Sequence, residues 1–305
     1  MLNRRILRIK AFKTIYSYAE NPGMSLKDAE TLLEQSCEAT RDLYLYMLSI
    51  TGPLTMEARN RIEAAGRKFN RSEDEIHPNL KFTENRIATI FEEDPDFNKL
   101  IHRKKFSWDQ NDVLLRHLYE KIRERKYFRD YLESGRDCLA EDASLWRKIY
   151  EHEFEDNKAL EPILEDMSIL WNDDLSYALI WCCNTMDSLG KGETWNLPPL
   201  YRSEMDPTGS KESDKLFVTK LLRTAYNGFG RYYDMIAENT HKWDRNRICV
   251  TDLALIICGL AEAEAFPEIA GKVTINEYVE ISKYYSTPES RGFVNGLLDK
   301  LINKD

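Results

Sequence analysis

Five cations stand within the first thirteen residues, Arg4, Arg5, Arg8, Lys10 and Lys13, and the first carboxylate is Glu20. Arginine meets phosphate with a planar fork of N–H donors and lysine meets it as a point charge. Ile9, Phe12 and Tyr16 lie among these cations, and a helical wheel puts them on one face with Arg5. Such a mixture suits stacking on unpaired bases or contact with a protein partner. The whole chain of 305 residues has a formal charge of −9, with 43 basic and 52 acidic residues. The body should therefore repel polyanions while the first turns attract them.

The groups that make and break bonds leave no comparable mark. There is no G-x-S-x-G, no phosphate loop of the G-x-x-x-x-G-K-[ST] type and no strand-linked G-x-G-x-x-G. His77, His102, His117, His152 and His241 are dispersed and lack the i, i+4 pairing of a helical metal site. His152-Glu153 beside Glu155 reads as a solvated charged face, and Asp173-Asp174 as the cap region of a helix starting near Leu175, with Asn172 or Asp173 as N-cap. Gly228-Phe229-Gly230 falls inside a helical pattern and reads as a close packing point. Neither catalysis, cofactor nor metal is expected.

The elements that must position the basic segment are helices. Leucine, alanine, glutamate, lysine and arginine are frequent, and alternating strand-like runs are scarce. Helical patterns are read over residues 25–50, 55–69, 109–132, 145–154, 159–170 and 175–189. Gly52-Pro53 should stop the first of these, and RSEDEIHPNLKF should be a loop. GETWNLPPLYRSEMDPTGSKES, residues 192–213, is the clearest linker. Beyond it Val218, Leu222, Ala225, Phe229, Tyr232 and Ile236 form one seam. ICVTDLALIICGLA is apolar on nearly every side and belongs at the centre of a bundle. The six cysteines lack C-x-x-C spacing and read as reduced core residues of a cytosolic protein. Cations interrupt the N-terminal segment too often for a secretory signal, and no apolar run is long enough to cross a bilayer. A cytoplasmic, all-α protein is expected.

The C-terminal run KVTINEYVEISKYYSTPESRGFVNGLLDKL has two helix starts, each with a capping-box pattern, at Thr274 to Glu277 and at Ser286 to Glu289. In the last helix Phe293, Val294, Leu297, Leu298, Leu301 and Ile302 share a stripe, and Gly292 and Gly296 make a small-residue spot. VTINEYVEISKYYSTPESRGFVNGLLDKL closely resembles the C-terminal signature of the NusB transcription antitermination family. NRRILRIKAFKTIYSY resembles the arginine-rich first helix of the same family. The resemblance covers residues 3–19, 25–50 and 213–303.

That resemblance implies a NusB-like helical bundle made of residues 1–50 and 213–305, with residues 51–212 as an inserted helical region like that of the family's extended form. It implies binding of boxA-type RNA from ribosomal RNA leaders together with NusE, a ribosomal protein of the small subunit. It also implies loading onto the RNA polymerase elongation complex with other Nus factors. Carried over by position, Arg4, Arg5 and Arg8 match the arginine-rich motif. Lys10 and Lys13 extend that motif, and Glu289, Ser290, Arg291 and Phe293 fall where the family's loop and final helix approach RNA. Tyr16, Phe12 and Asp252 fall near the partner surface. Ile257 and Leu253 depart from the pattern, standing where arginine and a basic residue are usual, and HRKK (102–105) or KIRERK (121–126) could replace a lost contact. The competing reading is a helical adaptor that binds only proteins. A ribosomal RNA methyltransferase carrying a NusB-like domain would need a Gly-rich cofactor turn, which the sequence lacks.

Overall fold

The structure is a computed structural model that describes residues 1–201, 213–240 and 248–303. Part of the expected 192–213 linker lies outside the described residues, as does His241. Among the described residues every regular element is helical. In chain order these are α1 (Arg4–Glu20), α2 (Leu26–Leu48), α3 (Thr51–Gly66), α4 (Glu73–Ile76), α5 (Arg86–Glu93), α6 (Pro95–Lys104), α7 (Asp112–Arg123) and α8 (Lys126–Glu133). They continue with α9 (Leu139–His152), α10 (Glu161–Met167), a 3-10 turn (Ile169–Trp171), α11 (Leu175–Gly190), α12 (Asp214–Asn239), α13 (Val250–Ala265), α14 (Gly271–Tyr285) and α15 (Pro288–Ile302). Two compact units result: Met1–Glu38 with Pro199–Asp305, and Ala39–Pro198.

In the first unit α13 is the hub. It packs on α1, α12, α14 and α15. A helix with four neighbours has no face left for water, which explains the unbroken burial from Asp252 to Glu262. Gly259 permits the tightest of these approaches, since a Cβ there would fall 2.7 Å from Leu298. The first helix begins where the Asn3 side chain accepts the Ile6 N–H, and it buries Leu7, Ala11 and Ile15. Tyr18 completes that face by packing on Tyr226 and Phe229 of α12, with ring centroids 4.4 and 5.0 Å apart. The seam of α12 is buried at Val218, Leu222, Ala225, Tyr232 and Ile236.

The second unit is built on the close pairing of α9 with α11, and α3 and α5 add a further layer. Trp146, Tyr150, Phe82, Phe128 and Phe154 fill its core. Tyr131 ties this core to α9 by donating its hydroxyl to Asp142 at 2.8 Å.

Several local expectations need correction. The RSEDEIHPNLKF segment is not a plain loop, because Ser72 and Glu75 form a capping box that starts the single turn of α4. Gly52 and Pro53 lie in the first turn of α3, where the missing N–H of proline has no helical partner to lose. The N-cap position of α11 is Asp174 instead of Asn172 or Asp173, and it makes no side-chain cap bond; its carboxylate accepts the Thr40 hydroxyl at 2.6 Å. The buried stripe of α7 is Leu114, Leu115, Leu118, Tyr119 and Ile122, and Val113 and His117 face water. Glu153 is buried, not solvated, and binds Arg125, Lys121 and Tyr127. Cys138 and Cys249 are exposed, and the other four cysteines are buried.

Candidate nucleic-acid interface

The N-terminal arginines are held by carboxylates of their own unit. Arg8 is 5% exposed and meets Glu262 of α13 through two N–H···O bonds of 2.7 and 2.8 Å. Glu262 also accepts the hydroxyls of Thr274 at 3.0 Å and Tyr278 at 3.2 Å. Burial works against the Arg8 charge, yet the hydrogen bonds it donates to Glu262 leave its pKa raised. Burial beside Glu262 pushes the Tyr278 phenol well up. Arg5 forms a two-bond fork on Glu277 of α14, at 2.9 and 2.8 Å, and that hydrogen bonding holds the Glu277 carboxyl below its usual range. Arg4 approaches Asp214 of α12 at 3.4 Å, and its guanidinium lies 4.8 Å from the Phe217 ring centroid. Lys10 is buried as well. The basic face of α1 is therefore largely the means by which α1 is fastened to α12, α13 and α14.

Thr274 is thus inside α14, which starts at Gly271, and its hydroxyl serves Glu262 instead of capping a helix. The second expected box is shifted by one residue. Thr287 is the N-cap of α15, accepting the Ser290 N–H, and Pro288 opens the helix. Ser286 donates instead to Asp252 at the start of α13, so buried Asp252 braces the corner between α14 and α15 from beneath.

That corner carries the accessible members of the expected set. Tyr285 packs its ring on Phe12 of α1, with centroids 5.4 Å apart, and the Lys13 ammonium lies 5.4 Å from the same ring. Tyr284 beside it is 83% exposed. Glu289 and Arg291 are exposed in the first turn of α15, Ser290 and Phe293 are half-buried, and Tyr16 on α1 is 38% exposed. Phe12 itself is buried, so it supports Tyr285 and is not a free contact. The structure brings Lys13, Phe12 and the α14–α15 corner together, and it sets Arg8 and Lys10 apart in the core.

The NusB family model matches residues 186–303. The chain is 32% identical over 95 residues to the transcription antitermination protein NusB of Alkaliphilus oremlandii, covering 31% of this chain and 69% of that protein. It is likewise 32% identical over 94 residues to the NusB of Clostridium botulinum, covering 31% of this chain and 71% of the relative. This chain belongs to the NusB family. Its match to the NusB of Chloroherpeton thalassium is 34% identical over 90 residues but spans only 43% of that relative. No solved structure matches the chain. The family match takes in α12 to α15 and the end of α11, and α1 lies outside it, joined to the matched helices by its packing on α12 and α13.

Sequence reasoning missed the carboxylates that neutralise the arginines. Glu277 stands in the quoted N-E signature and Glu262 near the end of the apolar helix, but neither neighbours its arginine in sequence. One signal was available: a glutamate on the apolar side of the last turn of a largely buried helix needs a cation or hydroxyls beside it. The exposed Tyr284 and the Tyr285 that packs on Phe12 were also missed, although both lie in the run KYYST.

Proposed function

We propose that this NusB-family chain is a transcription antitermination factor that binds single-stranded boxA-type RNA of ribosomal RNA leaders together with NusE. On this reading it works in the cytoplasm on the RNA polymerase elongation complex, with other Nus factors. The observation that carries the RNA reading is the corner where Tyr284, Glu289 and Arg291 are exposed and Lys13, Tyr285 and Phe293 are half-buried. Aromatic faces for bases and a cation for phosphate are what an unpaired strand needs. Tyr16, 38% exposed on α1, is assigned to the NusE side, and Asp252, buried under the corner, is given the role of bracing it instead of contacting a partner. Of the N-terminal cations we retain Lys13 as the direct phosphate contact and give Arg4, Arg5, Arg8 and Lys10 the role of fastening α1.

A gel-shift series tests this reading, with boxA-type RNA against a scrambled strand of equal length, each with and without NusE from the same organism. Tighter binding of the boxA-type strand, increased by NusE, is expected. Equal affinity for the two strands in both conditions would overturn it. The pairing of Arg4, Arg5 and Arg8 with carboxylates favours one alternative, a helical adaptor that binds only proteins. Binding of NusE without any retention of RNA would support that adaptor.

A further inference from the structure

Residues 39–198 hold 31 acidic and 23 basic residues, and the excess is concentrated in one segment. Residues 155–187 hold 8 acidic residues and a single basic one, so the rest of the second unit is nearly neutral, with 23 acidic and 22 basic. Residues 159–190 contain no lysine, arginine or histidine. The fold accounts for part of this charge. Asp174 is buried and accepts the Thr40 hydroxyl, Asp187 is paired with Arg147 at 3.1 Å, and Glu155 accepts the Ser176 hydroxyl at 2.5 Å. Glu161, Glu165 and Asp166 of α10 are exposed and have no side-chain partner among the described residues.

These three carboxylates work against their own helix. Glu161 and Glu165 are one turn apart, where like charges repel. Glu165 and Asp166 stand in its last turn, where the helix dipole disfavours a negative charge and no basic residue offsets it. The apolar side chains of the same segment are divided. Leu160 and Leu164 are buried, yet Met167 is 41% exposed, and Ile169, two residues on in the 3-10 turn, is 77% exposed. Ile163, one turn before Met167, is half-buried, as is Leu170. A single exposed apolar side chain is ordinary, but two large ones within three residues, flanked by half-covered ones, make a patch that favours removal from water.

We propose that this patch docks a basic amphipathic segment of a protein partner, with its apolar side chains on Met167 and Ile169 and its lysines or arginines on Glu161, Glu165 and Asp166. Charge complementarity selects the occupant. A nucleic acid is repelled by this surface, and a neutral or acidic segment would leave the carboxylates unmatched. The exposed apolar pair supplies the contact that a diffuse acidic surface lacks. Docking thus relieves at once the repulsion within α10 and the exposure of its apolar end. The patch lies outside the family-matched residues, so the inference stands apart from the RNA reading of the first unit.

The test uses the full chain and fluorescence anisotropy. The main probe is a labelled peptide, Gly-Leu-Lys-Arg-Leu-Ile-Lys-Arg-Leu-Gly. Its counterparts carry serine in place of the leucines and isoleucine, or glutamate in place of the lysines and arginines, and a labelled oligouridine is the nucleic-acid probe. A charge variant, Glu161→Gln, Glu165→Gln, Asp166→Asn, and an apolar variant, Met167→Ser, Ile169→Ser, each remove half of the patch. Their controls, Glu84→Gln, Asp109→Asn, Glu133→Gln and Leu80→Ser, Val113→Ser, change exposed residues elsewhere in the same unit. Saturable binding of the amphipathic peptide is expected, weakened about tenfold by the charge variant, about fivefold by the apolar variant and less than about twofold by either control. Oligouridine should bind each variant as it binds its control. Equal weakening by the charge variant and its control would mean general attraction and overturn the patch. So would undiminished binding to the apolar variant, equal binding of the serine or glutamate peptide, or no saturable binding up to millimolar concentration. Loss of oligouridine binding in the apolar variant alone would make the surface a nucleic-acid contact and overturn the proposal as well. Thermal unfolding of each variant guards against misfolding; should the apolar variant melt early, Ile169→Ser alone, at the more exposed site, must still weaken the amphipathic peptide.

Discussion

Glu262 is held by two N–H groups of Arg8 and by the hydroxyls of Thr274 and Tyr278, all of them buried. Removing the arginine leaves a desolvated carboxylate with two neutral donors. Arg8→Ala should therefore cost about 3–5 kcal/mol of unfolding free energy. Arg5→Ala, whose pair with Glu277 is largely solvated, should cost less than about 1 kcal/mol. Urea unfolding of the two variants decides, and similar costs would contradict the division between a core and a surface arginine. Glu277 also sets a pH dependence. The hydrogen bond from Arg5 depresses its folded pKa below the ordinary 4.5, so its stabilisation is complete above that value and is lost as the pH falls through the folded pKa. Burial pulls Glu153 the other way, but the bonds from Arg125, Lys121 and Tyr127 outweigh it and its net shift is also downward. Stability should fall below about pH 4.5, and Arg5→Ala should flatten that acid limb by lowering stability above about pH 5 while leaving it nearly unchanged at the acid end, where Glu277 is protonated in either protein. Phe293 sits half-buried next to Val294 and one turn before Leu297, both of which are buried. Phe293→Ala should lose about 1–3 kcal/mol of RNA affinity with a small fall in melting temperature. Leu297→Ala should instead lose about 2–5 kcal/mol of stability. If Phe293→Ala unfolds readily and keeps its affinity once folded, the stacking role is wrong.

At the scale of the element, α12 offers a paired test of why a glycine is there. A Cβ on Gly228 would fall 2.5 Å from the Tyr232 ring, and Tyr232 is buried and donates to Glu264 of α13 at 2.9 Å. Two residues on, Gly230 meets nothing within 4 Å. Alanine gains up to about 1 kcal/mol over glycine in a helix interior. Gly230→Ala should show that gain, and Gly228→Ala should be destabilising by about 1–3 kcal/mol because the tyrosine must move. Thermal melts with the same sign at both positions would refute the packing role of Gly228. Periodicity made the apolar α13 and the Val218 to Ile236 seam of α12 legible, since each pattern has one packing solution. It did not resolve the short helices α4, α5 and α6, whose charge-rich sequences hide one or two turns fixed by the local caps Ser72, Asn85 and Asp94. The start of α14 was misplaced for a related reason. Thr274 has the residue type of a cap, but a buried glutamate from another helix claims its hydroxyl, and such a tertiary demand leaves no trace within four residues of sequence.

Over the whole molecule, charge is divided unevenly although the two units are of similar length. Residues 39–198 are strongly acidic, while residues 1–38 and 199–305 together hold 20 basic and 21 acidic residues. Family membership was legible because its signature is contiguous near the C-terminus. The state of the basic N-terminus was not, because its counter-ions Asp214, Glu262 and Glu277 lie more than 200 residues away. This has a measurable consequence for RNA binding. Each phosphate neutralised on a single strand adds about 0.7 to the slope of log affinity against log salt. Were all five N-terminal cations contacts, they alone would contribute a slope near 3.5. Arg4, Arg5 and Arg8 have carboxylate partners and Lys10 is buried, and the cations set at the corner are Lys13, 5.4 Å from the Tyr285 ring centroid, and Arg291, exposed on α15. The slope for a boxA-type strand should then be near 1.4, falling to about 0.7 in Lys13→Gln and again in Arg291→Gln. Arg5→Gln should leave it unchanged, because the charge it removes is one already matched by Glu277. Filter-binding titrations at a series of potassium chloride concentrations measure all four slopes. A wild-type slope above 3, or an Arg5→Gln slope reduced by a full phosphate contact, would show that the arginines leave their carboxylates to meet RNA and that the first helix is itself the phosphate site.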